Sequence, residues 1–440
     1  MSRQLKAGVG RAMISPPLDC EMSGFVARTG RCRGIHDPLW ARVIVLSDGK
    51  RSLALISVDL IGVDRRLVAA IRETIARTSG LSPSSIIVCA THTHSGPATL
   101  RDAYLGHPDP EYLAAIAASI AEAVQEASQS MESVAVFVGH GGCSEVGKNR
   151  RHKDGPIDPQ VTVVRFQGAD RAIALVVNYA CHPVVLGPNN LLITADYPYY
   201  MTRTLEQVYS GAQVMMVNGA CGDVNVGHNT ADSIKGNASS RRTFEEAERL
   251  GRVLAAEALK ASECATSLEA ADIAYGVKAI CLPLEPLPEP GGLERQAEEW
   301  KQAVRELKAE GAPYGEYHQA EVWSEWALNM ARRIRRGEVM PYVTSEITAF
   351  SVGCLDFVSL PGEFFHEFAL RIKEQRSPRR VLVAGYCNDN IGYVAPEHCY
   401  DEGGYEVEDS YRYYGHPSRL ARGSGEMIVD ELLSMLGAVS

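Results

Sequence analysis

The sequence predicts an α/β protein with a mixed or layered sheet core and flanking helices. Two observations carry this. Short runs of β-branched and apolar residues alternate with amphipathic segments from the start to about residue 260. One stretch also reads as a βαβ unit: "RSLALISVD" leads into the helix-like "DRRLVAAIRETIARTSG" and then into "SSIIVCA". In such a unit the loops that follow the strands gather at one edge of the sheet, so Asp59 and His92 end neighbouring strands.

The elements follow in order. "ARVIVLSDG" and "SLALISVDLIG" are strand-like, and "PEYLAAIAASIAEAVQEASQS" is an amphipathic helix. "ESVAVFVGHG", "VTVVRFQG", "IALVVNYACHP" and "AQVMMVNGACGD" are further strands. Between 285 and 340, Pro/Gly punctuation and a charged helical pattern mark a helical insertion, after which "SEITAFSVGCLDFVSLPGEFF", "RRVLVAGYCND" and "GYVAP" return to strand patterning. The chain ends in the helix "SGEMIVDELLSMLGAV", and no internal repeat of fixed period is visible. "GVGRAM" lacks the preceding strand that a dinucleotide fingerprint requires.

Composition narrows the function. At 440 residues the chain exceeds the roughly 250 to 300 at which one core stops growing. With 54 acidic against 44 basic residues, a net charge of −10 and no dense basic block, nucleic acid is not an expected partner. The N-terminus has no apolar secretory core and no apolar run is long enough to span a bilayer, so a cytoplasmic protein without a stable membrane anchor is expected. The eleven cysteines have no paired spacing and are expected to be mostly reduced, many of them buried.

Several apolar runs end in polar residues able to ligate or hydrogen-bond. "VCATHTHSGPA" gives His92 and His94, which at spacing i, i+2 face one side of an extended chain. "NYACHP" gives His182, "NGACGDVN" gives Asn218, Asp223 and Asn225, "LPGEFFHEF" gives Glu363, and "CNDNIGYVAP" gives Asp389 and Tyr393. Each has a plainer reading: a backbone-bonded histidine at a turn, a helix cap, a core tyrosine. Zinc accepts imidazole nitrogen and carboxylate oxygen, which His92, His182 and Glu363 offer, and no HExxH helix, Walker loop or GxSxG elbow competes.

The motifs "ATHTHSGP", "KNR" before "DPQVTVVRF", "NYACHP" followed by "ITADYP", "NGACGDVN", "LPGEFF" and "NDNIGYVAPEHCYDEGGYEVEDSYRYYG" occur in the order that resembles the neutral (non-lysosomal) ceramidases and their bacterial relatives. The resemblance implies a single catalytic domain over residues 1–440 with the helical insertion at 285–340, and nothing in the sequence matches the family's C-terminal immunoglobulin-like domain. It implies a Zn2+ held by His92, His182, Glu363 and Tyr393, the last being a ligand that spacing alone would not select. It also makes His94, Arg150 and Tyr405 substrate or transition-state contacts. The family's attacking serine is replaced by Asn225, whose amide cannot be that nucleophile, so attack by metal-bound water is expected, with Asn225 donating to the oxyanion or orienting substrate.

The expected function is therefore zinc-dependent hydrolysis of an amide or ester bond in a small, soluble and polar substrate. The rival readings are a zinc lyase or isomerase that stabilises an enolate, with His94 as base, and a non-catalytic metal-binding relative. Homo-oligomerisation stays open.

Overall fold

Three stretches of chain, each opening on a run of β-branched and small residues, build the same unit three times. The computed structural model describes residues 5–101, 104–236, 241–269 and 272–439. In each unit three successive strands pair antiparallel, a helix crosses over, a fourth strand adds parallel to the third, and a second helix returns across the sheet. The first unit uses strands Lys6–Met13, Trp40–Ser47, Ser52–Val58 and Ile86–Ala90 with helices Arg65–Ser79 and Pro110–Gln129. The second uses Ala135–Gly142, Gln160–Gln167, Ala172–Tyr179 and Gln213–Asn218 with Tyr197–Val208 and Phe244–Glu263. The third uses Ile273–Pro283, Tyr342–Val352, Leu355–Ser359 and Arg380–Ala384 with His366–Arg376 and Ser424–Val439. Loops of different length separate the strands, which is why the repetition leaves no fixed period in the sequence.

Local chemistry sets the elements. The crossover helix of the first unit is capped by Asp64, whose carboxylate accepts from Leu67 N, and it ends at Gly80 in the left-handed region (φ 73°). Leu67, Val68, Ile71 and Ile75 recur at helical spacing and are buried; sealing each from water contributes about 2 kcal/mol. The "GVG" near the N-terminus lies within a strand and serves packing: a Cβ on Gly8 would sit 1.9 Å from the Ala127 carbonyl oxygen of the returning helix. Gly139 plays the same part in the second unit, 1.8 Å from the oxygen of Ala261.

The units close on one another through polar side chains near the strand ends. Ser57 Oγ donates to Met216 O in the second unit (2.5 Å), and Asn178 Nδ2 donates to Val383 O in the third (3.0 Å). The ring returns to the first unit where Asn388 N donates to Val88 O (2.8 Å) and Val88 N to Asn388 Oδ1 (2.9 Å). The loops that follow the third and fourth strands therefore meet at one end of the molecule.

The insertion forms a hairpin of helices Pro290–Ala309 and Tyr314–Arg335 between the first two strands of the third unit, with Leu293, Ala297, Trp326 and Met330 in its seam. Gln319 and Asn329 fasten it by donating to the hydroxyls of Tyr413 (2.8 Å) and Tyr104 (2.7 Å). Among the described residues, no helix is long and apolar enough to cross a membrane.

Candidate metal centre and active site

Each unit delivers one group to the common end. His92 follows the first unit's fourth strand with φ 69°, a conformation that non-glycine residues adopt at a cost when surrounding structure imposes it. Its N–H donates to Leu60 O (2.9 Å) and its Nδ1 meets Ile61 O. His182 follows the second unit's third strand, with N–H on Val224 O and Nδ1 shared between Cys221 O (2.8 Å) and Val224 O (3.0 Å). Glu363 follows the third unit's third strand and sits in a two-residue parallel ladder opposite Tyr393. Asn218 braces the first two: its Nδ2 donates to Thr91 O (3.0 Å) and its Oδ1 accepts from Cys181 N (3.2 Å), each one residue before a histidine.

The side chains converge. Glu363 Oε2 lies 2.9 Å from His182 Nε2 and 3.4 Å from His92 Nε2, and His94 Nε2 lies 3.1 Å from His92 Nε2. Because each Nδ1 faces a backbone carbonyl, Gly24 O in the case of His94 (2.9 Å), each Nδ1 is assigned the proton and each Nε2 presents a lone pair to the same point. His92, His94 and His182 hold their ligating atoms within 4.8 Å of one another. The other such group among the described residues, Glu367, His398 and Cys399, is largely exposed.

The electrostatics fit a cation. Burial holds His94 well below its ordinary value and lowers His182 as well, so these imidazoles are neutral. A buried carboxylate among imidazole lone pairs is the donor set that a divalent ion accepts.

Around this point the structure gathers the other predicted residues. The Tyr393 ring lies 6.4 Å from that of His182 and nearly parallel to it, the Arg150 guanidinium stands 5.0 Å over Tyr393, and the Tyr405 ring lies 5.7 Å from Tyr393. Arg150 Nε donates to Glu406 Oε1 (2.9 Å), while its buried Nη2 has no protein partner. Burial works against the Arg150 charge, but Tyr393 and Glu406 beside it keep its pKa well above the ordinary value. Arg150, His94, Asn225, Tyr393 and Tyr405 line one pocket, whose apolar wall is Phe25, Val26, Leu105, Ile234 and Tyr413. Asn225 is tied to its own turn: Oδ1 accepts from Gly227 N (2.8 Å) and His228 N (3.1 Å), and Nδ2 donates to His228 O (2.5 Å).

Other polar strand ends turn out to be braces. Asp59 accepts from Arg42 Nη1 and Trp40 N, both at 3.0 Å. Asp223 holds His366 through its N–H (2.9 Å) and Nδ1 (2.6 Å). Beyond Arg150, Arg151 pairs with Glu402 (3.1 Å) and Glu406 (2.8 Å), and His152 Nε2 lies 3.2 Å from Glu402 Oε2. Sequence reasoning missed two residues at the centre. Tyr414 donates its hydroxyl to Glu363 Oε1, and Tyr386 stacks on His92 with centroids 4.0 Å apart. The "YRYYG" run gave no sign of which phenol turns inward.

A family model described as neutral/alkaline non-lysosomal ceramidase, N-terminal, matches residues 5–243. Among curated proteins, the neutral ceramidase of Mycobacterium tuberculosis is 26% identical over 240 residues, covering 48% of this chain and 37% of that protein. That of Pseudomonas aeruginosa is 26% identical over 220 residues, covering 44% and 32%. The matched stretch thus spans about a third of the curated relatives' length. Among solved structures, the neutral ceramidase from Pseudomonas aeruginosa shares the fold at TM-score 0.73 with 18% identity, covering 100% of this chain and 75% of that one. A structure titled "Ceramidase complexed with C2" aligns at TM-score 0.72 and 17% identity, covering 99% and 75%.

Proposed function

Since the chain belongs to the neutral/alkaline non-lysosomal ceramidase family, we propose that it is a metal-dependent hydrolase that cleaves the amide bond of an N-acyl substrate. The observation that carries this reading is the convergence of the His92, His94 and His182 Nε2 atoms and the buried Glu363 carboxylate beside one pocket. His92, His182, Glu363 and Tyr393 would hold the ion, which we take to be zinc. A bound divalent ion supplies Lewis acidity, polarising a carbonyl and making water a stronger acid near neutral pH.

The chain's own residues do the remaining work. Water adds to the carbonyl carbon, the C–N bond breaks, and the amine leaves with a proton. His94 is neutral and its Nδ1 is fixed on Gly24 O, so its Nε2 is free to take the proton from water and return it to the leaving amine. Arg150 presents the unpartnered Nη2 to the oxygen on which charge develops, and Glu406 fixes its orientation. Tyr405 packs the substrate against Tyr393. Asn225, bound into its own turn, shapes the pocket floor, and no acyl-enzyme forms on it.

The expectation of a wholly polar substrate gives way here. A pocket with Phe25, Val26, Leu105, Ile234 and Tyr413 on one side and Asn229, Thr230 and Ser233 on the other suits an amphipathic amide, and the relatives matched are named neutral ceramidases.

The test combines metal analysis with assays on N-acyl amides of graded chain length in ¹⁸O-labelled water. We expect one divalent ion per chain, label in the released acid, and loss of both ion and activity in His92→Ala and His182→Ala. Full activity without a divalent ion, or product free of label, would overturn the reading.

A further inference from the structure

The free edge of the first unit's sheet is closed by a segment that belongs to no strand, Gly385–Asn388. Cys89, in the strand Ile86–Ala90, and Cys387, in this segment, form an antiparallel bridge. The hydrogen bonds beside them run from Ala90 N to Tyr386 O (3.1 Å) and from Asn388 N to Val88 O (2.8 Å). Cys89 and Cys387 are therefore the pair that exchanges no hydrogen bond, where antiparallel backbones approach to about 4.5 Å and side chains lie closest. That spacing falls within the range of about 4.4–6.8 Å that a disulfide spans without moving backbone. The two sulfurs lie 2.7 Å apart, both fully buried, and 298 residues separate them in the chain.

We propose that Cys89 and Cys387 are a cross-link site, oxidised to a disulfide while the chain folds in the presence of a low-molecular-weight disulfide. The two thiols give up two protons and two electrons as the S–S bond forms, and the small disulfide is reduced to two thiols. Complete burial sets the timing. Exchange takes place before the core closes, and afterwards the pair is sealed in whichever state it was folded, its Cys387 thiol pushed well up by burial and unreactive.

The bond would sit at the junction where the third unit returns to the first. The chain itself joins the first unit to the second and the second to the third, whereas this interface is otherwise held by non-covalent contacts. The cross-link turns an open ring of three units into a closed one, enclosing most of the chain and restricting the unfolded state accordingly. Tyr386, stacked on His92, is adjacent to Cys387 and becomes anchored with it. A second neighbouring pair, Cys20 and Cys32, is joined by a backbone hydrogen bond of 2.9 Å from Cys32 N to Cys20 O and is the natural competitor.

The full chain is denatured and refolded either with mixed oxidised and reduced glutathione or with reduced glutathione alone, then unfolded in N-ethylmaleimide for intact mass and peptide mapping. We expect all eleven cysteines to be alkylated in the reduced sample and two fewer in the oxidised one, with Cys89 and Cys387 joined in one peptide. The cross-linked form should melt about 5 °C higher. Cys387→Ala should leave Cys89 alkylated under both conditions; the wild-type map decides the matter if that variant does not fold. Full alkylation in both samples, or a link confined to Cys20 and Cys32, overturns the site. Equal melting of the two forms overturns its bracing role.

Discussion

At residue scale, side chains outside the pocket lining hold the converging groups in place. Tyr414 fixes one oxygen of Glu363 while the other faces the histidines, so Tyr414→Phe should weaken divalent-ion affinity by about tenfold, as loss of an outer hydrogen bond to a ligand does. Competition with a chelator of known affinity measures it. Asn218→Ala releases both histidine-bearing ends at once and should cost more, on the order of a hundredfold, with a far-UV spectrum like the wild type. His92 and His94 do meet, as the sequence suggested, but not by the alternation of an extended chain: the strand ends at Ala90, His92 takes φ 69°, and the turn brings the two Nε2 atoms to 3.1 Å. Tyr414 and Asn218 were not readable as partners of Glu363 and the histidine-bearing loops, since their aim depends on which strand ends meet after folding. Asn225 was read for its chemistry, and the structure commits its amide to a turn that sequence spacing does not reveal.

At the scale of elements, the ladder of Glu363–Phe364 against Tyr393–Val394 is only two residues long, and it sets Glu363 beside Tyr393 together with a hydrogen bond from Ile391 N to Pro361 O (2.9 Å). Gly362 makes it possible: a Cβ there would lie 2.6 Å from the Gly392 carbonyl oxygen. Gly362→Ala should push the two segments apart and lower metal occupancy and turnover by more than tenfold while most of the cooperative unfolding transition remains, which metal analysis beside a denaturant titration would show. The α/β character, the parallel pairing of Ser52–Val58 with Ile86–Ala90 and the helical character of Pro290–Ala309 and Tyr314–Arg335 followed from apolar periodicity and Gly/Pro punctuation. The threefold repetition did not, because it lies in the order and pairing of the elements rather than in the residues, and insertions of unequal length erase any period. The "GVG" run shows the limit: the missing preceding strand set a phosphate loop aside, but the reason for the glycines, a helix whose Ala127 carbonyl oxygen would lie 1.9 Å from a Cβ on Gly8, appears only in the fold.

For the whole molecule, stability should follow both the ion and pH. If the proposed ion sits at this point, chelation takes away the charge that faces Glu363 Oε2 while Tyr414 still donates to Oε1, so chelation should lower the melting temperature, and added zinc should restore it in a concentration-dependent way. Burial raises Asp389 from the ordinary 3.8 to about 6, with Ser345 Oγ donating to it at 2.8 Å. The folded state thus holds this proton more tightly than the unfolded chain does. The resulting stabilisation is complete below pH 3.8 and is lost as pH rises through about 6, a difference of about 2–3 kcal/mol. Asp389→Asn should flatten that part of the pH–stability curve, as urea titrations across the interval would reveal. Finally, His92 and His182 come from the first two units, whereas Glu363 and Tyr393 belong to the last. A nascent polypeptide that has not yet reached Glu363 lacks the acid and the phenol together, so the proposed hydrolase stays inert until the third unit has been made and has folded onto the other two.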